Sequence, residues 1–527
     1  MPLPSPYRKI FSFEKISLRE VLKLDPTHGL GFEEELGEGH DSFRQLKYIE
    51  DYLRDEDLGC KTVLIEHPYI DRDYMEDHSV FYSRNLRPYE NWCRRLHFFN
   101  LPEQTLIKNL ENLLTYSEET PEDRRAEYLK RCSEFSMKFY LGFMTVKPLS
   151  GCPVGRTVLR PYKRQGTDGR TRIFPCIREY TVHISGVSLS VNGLAFQQQD
   201  RGVSACATTA LWSSLQMVKS HEDVASSTPA LITTLASRYT LPFGRPMPSE
   251  GLSIEQMCLA VQAIGMSPSL IKAEDPKSTL GGIFSATISG FAPVLILKAL
   301  TTSPTYHAVT VTGSKLNPQI PSRFQIGLSG SMVNEEAARC EALYIHDDRY
   351  GPYLRATLSS ASNHLELTID PERDGKRAEH WIVTHLLVPV HPKIRLSFSS
   401  LRRIAIEVCL EINAIGNSAA SPLSKGEKIT VAYKIEKGSK YAEGIVLNEN
   451  NVDLNRLSKF YENLVLPRYL GIIKVTASWL GEIDILVDTT STVSNLDFVG
   501  LISRNKTQNS EFLLKELSHL CQCPFID

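Results

Sequence analysis

Apolar positions along the chain switch repeatedly between a helical period and an alternating one. Phe43, Leu46, Ile49, Tyr52 and Leu53 fall on one face of a helix, the spacing a half-buried helix requires. Residues 104–116 and 122–135 read as two further helices, and Lys61–Glu66 and Leu141–Val146 as strands. In Lys61–Glu66 the buried centre is Thr62, Val63, Leu64 and Ile65. The stretch Tyr69–His78 carries acids and aromatics but lacks the glycine and spacing of a calcium loop. It reads as a solvated helix face.

A second block begins near residue 176. Tyr180–Leu194 contains β-type alternation and leads into Gln197, Gln198 and Gln199. At Cys206 the pattern turns helical, with Ala207, Leu211, Leu215 and Val218 on one face. Ser253 and Gln256 have capping-box spacing before the stripe Ile254, Met257, Cys258 and Val261, and Gly265 is placed to end that helix. Pro293–Leu297 reads as a buried strand, Tyr306–Gly313 as an alternating one, and Leu343–Pro352 as a strand ending in Asp347, Asp348 and a turn. Adjacent strand residues face opposite ways. One of Asp347 and Asp348 is therefore expected to reach a partner, and His346 to point away from it.

A third block follows residue 395. Lys428–Glu436 reads as a strand, Leu454, Leu457, Phe460, Tyr461 and Leu464 as a helix face, and Ile472–Trp479 with Ile483–Val487 as a hairpin. Leu501 and Ile502 suggest another strand. The expected division is 1–175, 176–395 and 396–527, the middle region being large enough to fold alone. The flanks are then expected to control access or to recognise a partner.

The 527 residues carry a formal net charge of −2 with 42% hydrophobic and 23% charged residues. This is a globular balance. No whole-chain field draws in nucleic acid or an anionic membrane. The eleven cysteines follow no disulfide or zinc spacing. Together with the absence of an apolar leader after Met1, this points to a reducing cytoplasm. Cys521 and Cys523 read as ordinary thiols, and His380, His385 and His391 are too loosely spaced for a metal site.

The chemistry concentrates in the middle block. A thiol at the first turn of a helix is favoured as thiolate by the unpaired N–H groups there. Cys206 at a helix start, His307 on a later strand and Asp347 on the next is the order a thiol hydrolase needs. The histidine takes and returns a proton, and the acid fixes its tautomer. Taken alone, Cys206 also reads as one more buried thiol.

These residues resemble the papain-like cysteine peptidases, and most closely the branch that cuts double-glycine leader peptides. The resemblance rests on Cys206 opening a helix, on His307–Gly313, and on Asp347 with Gly351 four positions on, within Gln197–Pro352. It implies an α+β fold, a papain-like core with a Cys-led helix packed on an antiparallel sheet, flanked by α/β regions. It implies Cys206 as nucleophile, His307 as base and then acid, Asp347 as orienting acid and a glutamine as oxyanion partner. In that branch the glutamine lies six residues before the cysteine, where this chain has Asp200. Gln199 takes the role after a one-residue shift, with Gln197 and Gln198 as alternatives. Asp348 stands where the branch has proline and is the alternative acid. Residues 314–341 are an extra piece. The resemblance calls for neither cofactor nor metal. It implies cleavage of a protein or peptide. Transglutaminase or deamidase chemistry on the same triad, or a non-catalytic interaction protein on a decayed fold, are the other readings.

Arg156, Arg160, Lys163, Arg164, Arg170, Arg172 and Arg178 form a basic cluster around the Asp168-Gly169 turn. It reads as a solvated hairpin or as a surface for an acidic partner. Little aromatic interleaving supports nucleic acid.

Overall fold

The computed structural model describes residues 7–526 apart from 24–41, 85, 87–88, 116–120, 150, 167, 201–204, 222–226, 239–250, 302–304, 320–325, 329–330, 360–362, 373–376, 419–427, 449–461, 463, 492–496 and 506–509. It is a mixed α+β structure.

The N-terminal region is built on a five-stranded antiparallel sheet in sequence order: Tyr7–Ser12, Thr62–Tyr69, Cys93–Phe99, Tyr140–Val146 and Val154–Leu159. Strand alternation gives the sheet two apolar faces. Val63, Ile65 and Phe98 pack with Leu46, Ile49 and Leu53 of the Ser42–Arg54 helix. Leu64 and Phe99 face the Glu103–Leu113 and Pro121–Phe139 helices. Arg178–Ile184 and Val187–Gly193 form a hairpin. Both of its turn residues, Ser185 and Gly186, have positive φ, 50° and 86°, the backbone that matches a two-residue turn to strand twist.

The central sheet has eight strands. Val294–Ala299, Tyr306–Leu316, Cys340–Asp347, Gly351–Ser359, Glu366–Ile369 and Glu379–Val390 pair antiparallel in that order, and Glu379–Val390 pairs back onto Val294–Ala299. Six strands thereby close on themselves. Ser267–Lys272 and Thr171–Ile173 add to the outside of the ring. Leu295, Leu297, Val309, Val311, Leu343 and Ile345 fill one side of the wall. Val294, Ile296, Ala308 and Leu387 face the other way and meet the Cys206–His221 helix through Ala207, Leu211 and Leu215.

The C-terminal region is a seven-stranded sheet that opens with Ile326–Leu328 and Ser331–Glu335. Both lie in the extra piece between the His307 and Asp347 strands. Ser331–Glu335 runs parallel to Lys428–Lys437, and the rest of the sheet follows through Tyr469–Ala477, Gly481–Asp488, Phe498–Asn505 and Phe525–Ile526. The expected strands are all present. The helix face expected over Leu454–Leu464 falls largely outside the described residues.

The three expected regions exchange strands and share apolar clusters across their boundaries. One apolar cluster runs from Leu295 and Val309 through Phe398, Leu401 and Ile404 to Ile473 and Leu514. Another joins Leu64, Phe99 and Tyr140 to Leu211 and Trp212 of the Cys206 helix. The expectation that the flanks do not complete the core around Cys206 is corrected by these contacts. Tyr69–His78 is a second correction. Its helix, Arg72–Val80, buries Asp73, Tyr74 and Asp77 rather than presenting a solvated acidic face. Arg156 pairs with Asp73 at 2.8 Å, and Asp77 Oδ1 accepts the Ala230 amide at 3.0 Å.

Candidate active site

Cys206 is the first residue of its helix and is half-buried. Ala205 closes the first turn, its carbonyl accepting from the Thr209 amide at 3.0 Å. The helix is fixed by hydroxyl groups along its length. Ser213 Oγ donates to the Ala195 carbonyl at 2.9 Å and Ser214 Oγ to the Ala292 carbonyl at 2.6 Å. Thr310 Oγ1, from the strand that carries His307, donates to the Ala210 carbonyl at 2.7 Å. Thr312 Oγ1, on the same strand, donates to the Tyr344 carbonyl at 3.0 Å. Two threonines thus lock the histidine strand to the cysteine helix on one side and to the aspartate strand on the other. Gly313 is required nearby, because a Cβ there would lie 2.2 Å from the Ile173 carbonyl oxygen.

Cys206, His307 and Asp347 come together. His307 is buried, and the nearby Cys206 thiol is one of the groups that push its pKa up. Its Nε2 lies 3.0 Å from Asp347 Oδ1. A carboxylate only accepts, so this contact favours a proton on Nε2, which also faces Arg349 Nε at 3.2 Å. Burial works against a charge on this ring, but Asp347 outweighs it and pushes His307 up to about 10. Burial equally opposes the Asp347 charge, yet His307 and Arg349 hold that carboxyl well below the usual carboxylate range.

Asp348 also reaches the histidine, its Oδ1 lying 3.7 Å from Nε2. The expectation that one of the two acids would face away is corrected. The pairing with the next strand shifts register between Ile345 and Asp347, and the strand ends at Asp347. Strict alternation does not extend to Asp348. Burial, together with the Asp347 charge, raises the Asp348 carboxyl to about 6 despite His307. His346 does point away, packing edge-on against Phe196 and Tyr353. Burial pulls it down to about 3, and it is structural.

His307, Asp347 and Asp348 place ligand atoms within 4.8 Å of one another, the one such convergence among the described residues. A guanidinium stands beside them. Arg349 donates from Nη2 to Asp347 Oδ2 at 2.8 Å and from Nε to Oδ1 at 3.1 Å. It occupies one edge of the Asp347 carboxylate. His380, His385 and His391 take no part in such a convergence.

The glutamines divide. Phe196 bridges to Thr157 and the Gln198 amide donates to the Val154 carbonyl, so this stretch is extended. Gln198 Oε1 is used elsewhere, accepting the Val154 amide at 3.3 Å. Gln197 is buried and Gln199 exposed. Residues 201–204, which join them to Ala205, lie outside the described set. Lys147 and Asp200, both buried, pair at 3.5 Å just ahead of that segment.

Most of the basic cluster has partners inside the molecule. Arg160 donates to the Ser136, Met137 and Tyr140 carbonyls. Arg172 pairs with Asp57, Arg170 with Asn317 and Glu341, and Arg178 with Gln216. Lys163 and Arg164 stay exposed. Arg349, Glu379, Trp381 and Gln45 were not singled out by sequence reasoning. Adjacency to Asp347 was the sole available signal, and it concerned Arg349 alone.

A cavity of ≈ 700 Å³ lies between the Ser42–Arg54 helix and the Gly351–Ser359 strand, with Tyr48, Tyr52, Tyr162, Tyr350 and Glu379 in its walls. None of Cys206, His307 and Asp347 lines it. It meets the site through Tyr350 and Glu379, from behind the acid.

No known protein-family model matches the chain, and no curated protein sequence matches it. No helix among the described residues is long and apolar enough to cross a membrane.

Proposed function

We propose that this chain is a papain-like thiol hydrolase, a cysteine peptidase acting on a protein or peptide. The observation that carries the reading is one cluster of side chains. Cys206 at a helix N-terminus lies beside His307, and His307 Nε2 meets a buried Asp347 at 3.0 Å. In this reading His307 keeps Cys206 as thiolate. The thiolate attacks the scissile carbonyl, and His307 then protonates the leaving amine. Water, deprotonated by the same imidazole, cleaves the acyl-enzyme. The Cys206 backbone N–H and a glutamine side chain, Gln199 or Gln197, hold the oxyanion. All eleven cysteines are free thiols, in keeping with a reducing, cytoplasmic setting.

The test is terminal-labelling proteomics of cells expressing the wild type against Cys206→Ala. New N-termini that depend on Cys206 support the peptidase. Conversion of substrate glutamine to glutamate without a new terminus makes the chain a deamidase. No Cys206-dependent product of either kind, with Cys206 also inert to iodoacetamide, rejects the enzyme reading.

A further inference from the structure

Arg349 follows two aspartates at a strand end, a place where an arginine ordinarily extends into water. Here it folds back on Asp347. Asp347 Oδ1 accepts from the Arg349 backbone amide at 3.0 Å and from Nε at 3.1 Å, and Oδ2 accepts from Nη2 at 2.8 Å. With His307 at 3.0 Å, every strong contact of this buried carboxylate comes from the histidine and from Arg349.

The guanidinium is itself held from all sides. Its Nη1 donates to Glu379 Oε2 at 2.9 Å. Glu379 also accepts the Tyr350 hydroxyl at 2.7 Å and the Trp381 indole N–H at 3.1 Å. The Arg349 guanidinium carbon lies over two rings, 5.2 Å from the centroid of Tyr350 and 5.1 Å from that of Trp381. Trp381 in turn lies 5.7 Å from the His307 ring. Tyr350 also carries Arg44 at 5.3 Å. A chain of cation–ring and ring contacts therefore runs from Arg44 of the Ser42–Arg54 helix to the histidine.

We propose that Arg349 is a positioning residue of this site, a planar clamp that holds Asp347 where it serves His307 and that is locked by Glu379, Tyr350 and Trp381. The proposal rests on the reading of Cys206, His307 and Asp347 as a triad. A planar fork is what the geometry requires. It bonds two carboxylates, Asp347 and Glu379, at fixed angles, which the point charge of a lysine does not do. The clamp also adjusts charge. The groups facing His307 are Cys206, Asp347, Asp348 and Arg349, with the Trp381 ring packed beside them. Arg349 Nε, 3.2 Å from Nε2, opposes a charge on the imidazole.

The test uses the full chain and needs no substrate. Alkylation of Cys206 by iodoacetamide is mapped by mass spectrometry as a function of pH. His307→Ala tests the triad itself. An unchanged profile in that variant defeats the triad reading, whatever Arg349 does. Given a profile that depends on His307, Arg349→Met removes a cation beside the pair and raises the midpoint of thiolate formation by about one pH unit. Arg349→Lys keeps the charge and loses the fork. Its midpoint stays within a few tenths of a unit of wild type, while the plateau rate falls about tenfold. Glu379→Gln leaves Asp347 and Arg349 in place and guards against a Met variant that does not fold. It is expected to lower the plateau in the same way as Arg349→Lys. Wild-type midpoints and plateaus in the folded variants overturn the proposal.

Discussion

The ring of Tyr48 fills the space that a side chain on Gly351 would need. A Cβ at Gly351 would lie 2.2 Å from Tyr48 Cδ1 and 2.6 Å from Cε1. Gly351 is paired with Asp347 across the turn, and the Tyr48 hydroxyl donates to the Pro352 carbonyl at 3.2 Å. From the same helix, Gln45 Nε2 donates to the Asp348 carbonyl at 3.2 Å. The N-terminal region thus braces the turn that carries both acids.

Gly351→Ala is therefore expected to be destabilising by overpacking, by about 1–3 kcal/mol. It should also slow Cys206 alkylation by moving the acid turn. Tyr48→Ala in the same chain removes the obstructing ring and should recover part of the alkylation rate. Thermal melts and alkylation rates of the single and double variants check this. A Gly351→Ala protein that melts and reacts like wild type would show that the contact does not constrain the turn.

The two acids should separate in kinetics. Asp347→Asn leaves His307 without its ionised partner and should lower turnover by about 10³–10⁴-fold, the scale set by the analogous change in a serine triad. Asp348→Asn removes a negative charge 3.7 Å from His307. It should lower the alkaline limb of the pH–rate profile by less than about one unit and cost far less activity. A larger loss in Asp348→Asn reverses the assignment of the orienting acid.

What was legible in the sequence was local. Helical and alternating periods gave the Ser42–Arg54 helix, the Cys206 helix, the Ser253 capping box and the strands that carry His307 and Asp347, because each depends on residues close in the chain. Both reciprocal bonds of the capping box are present, and Gly265 ends that helix with φ +90°. What was not legible depended on distant partners. Strand alternation placed His346 correctly but failed at Asp348, because a register shift set by the neighbouring strand ends the period there. The acidic helix at Arg72–Val80 looked solvated because Arg156, its ionic partner, lies more than seventy residues away. Glu379 and Trp381 reach the site only because the central sheet closes, and no spacing near Asp347 announces them.

The His307–Asp347 pair should also mark the pH dependence of stability. His307 is raised from 6.5 to about 10 in the folded chain. Its contribution is complete below about pH 6.5 and is lost as pH rises through 10. Asp347 is depressed below 3.8, so its contribution is complete above about pH 4 and is lost in acid. Both are whole between about pH 4 and 6.5. The difference in melting temperature between wild type and Asp347→Asn should be largest near about pH 5 and narrow toward about pH 10. A difference that is flat from pH 5 to 10 would mean that the imidazole is neutral throughout and that no ion pair forms.

The shared cores bear on how far the site can be isolated. The Cys206 helix buries Leu211 and Trp212 in a cluster that includes Leu64, Phe99 and Tyr140, and the closed sheet shares its interior with Phe398, Leu401 and Ile404. The extra piece supplies Ser331–Glu335 as a strand partner of Lys428–Lys437. A fragment of residues 176–395 would expose both apolar faces and leave that strand without its neighbour. Large exposed apolar patches and unpaired edges lead to association rather than folding. We therefore expect this fragment to be aggregated or to lack a cooperative melt, with Cys206 no more reactive to iodoacetamide than the other thiols. The full chain should show one preferred thiol. A soluble 176–395 fragment that melts cooperatively and keeps a selectively reactive Cys206 would show that the flanking regions are accessories to the site and not part of its core.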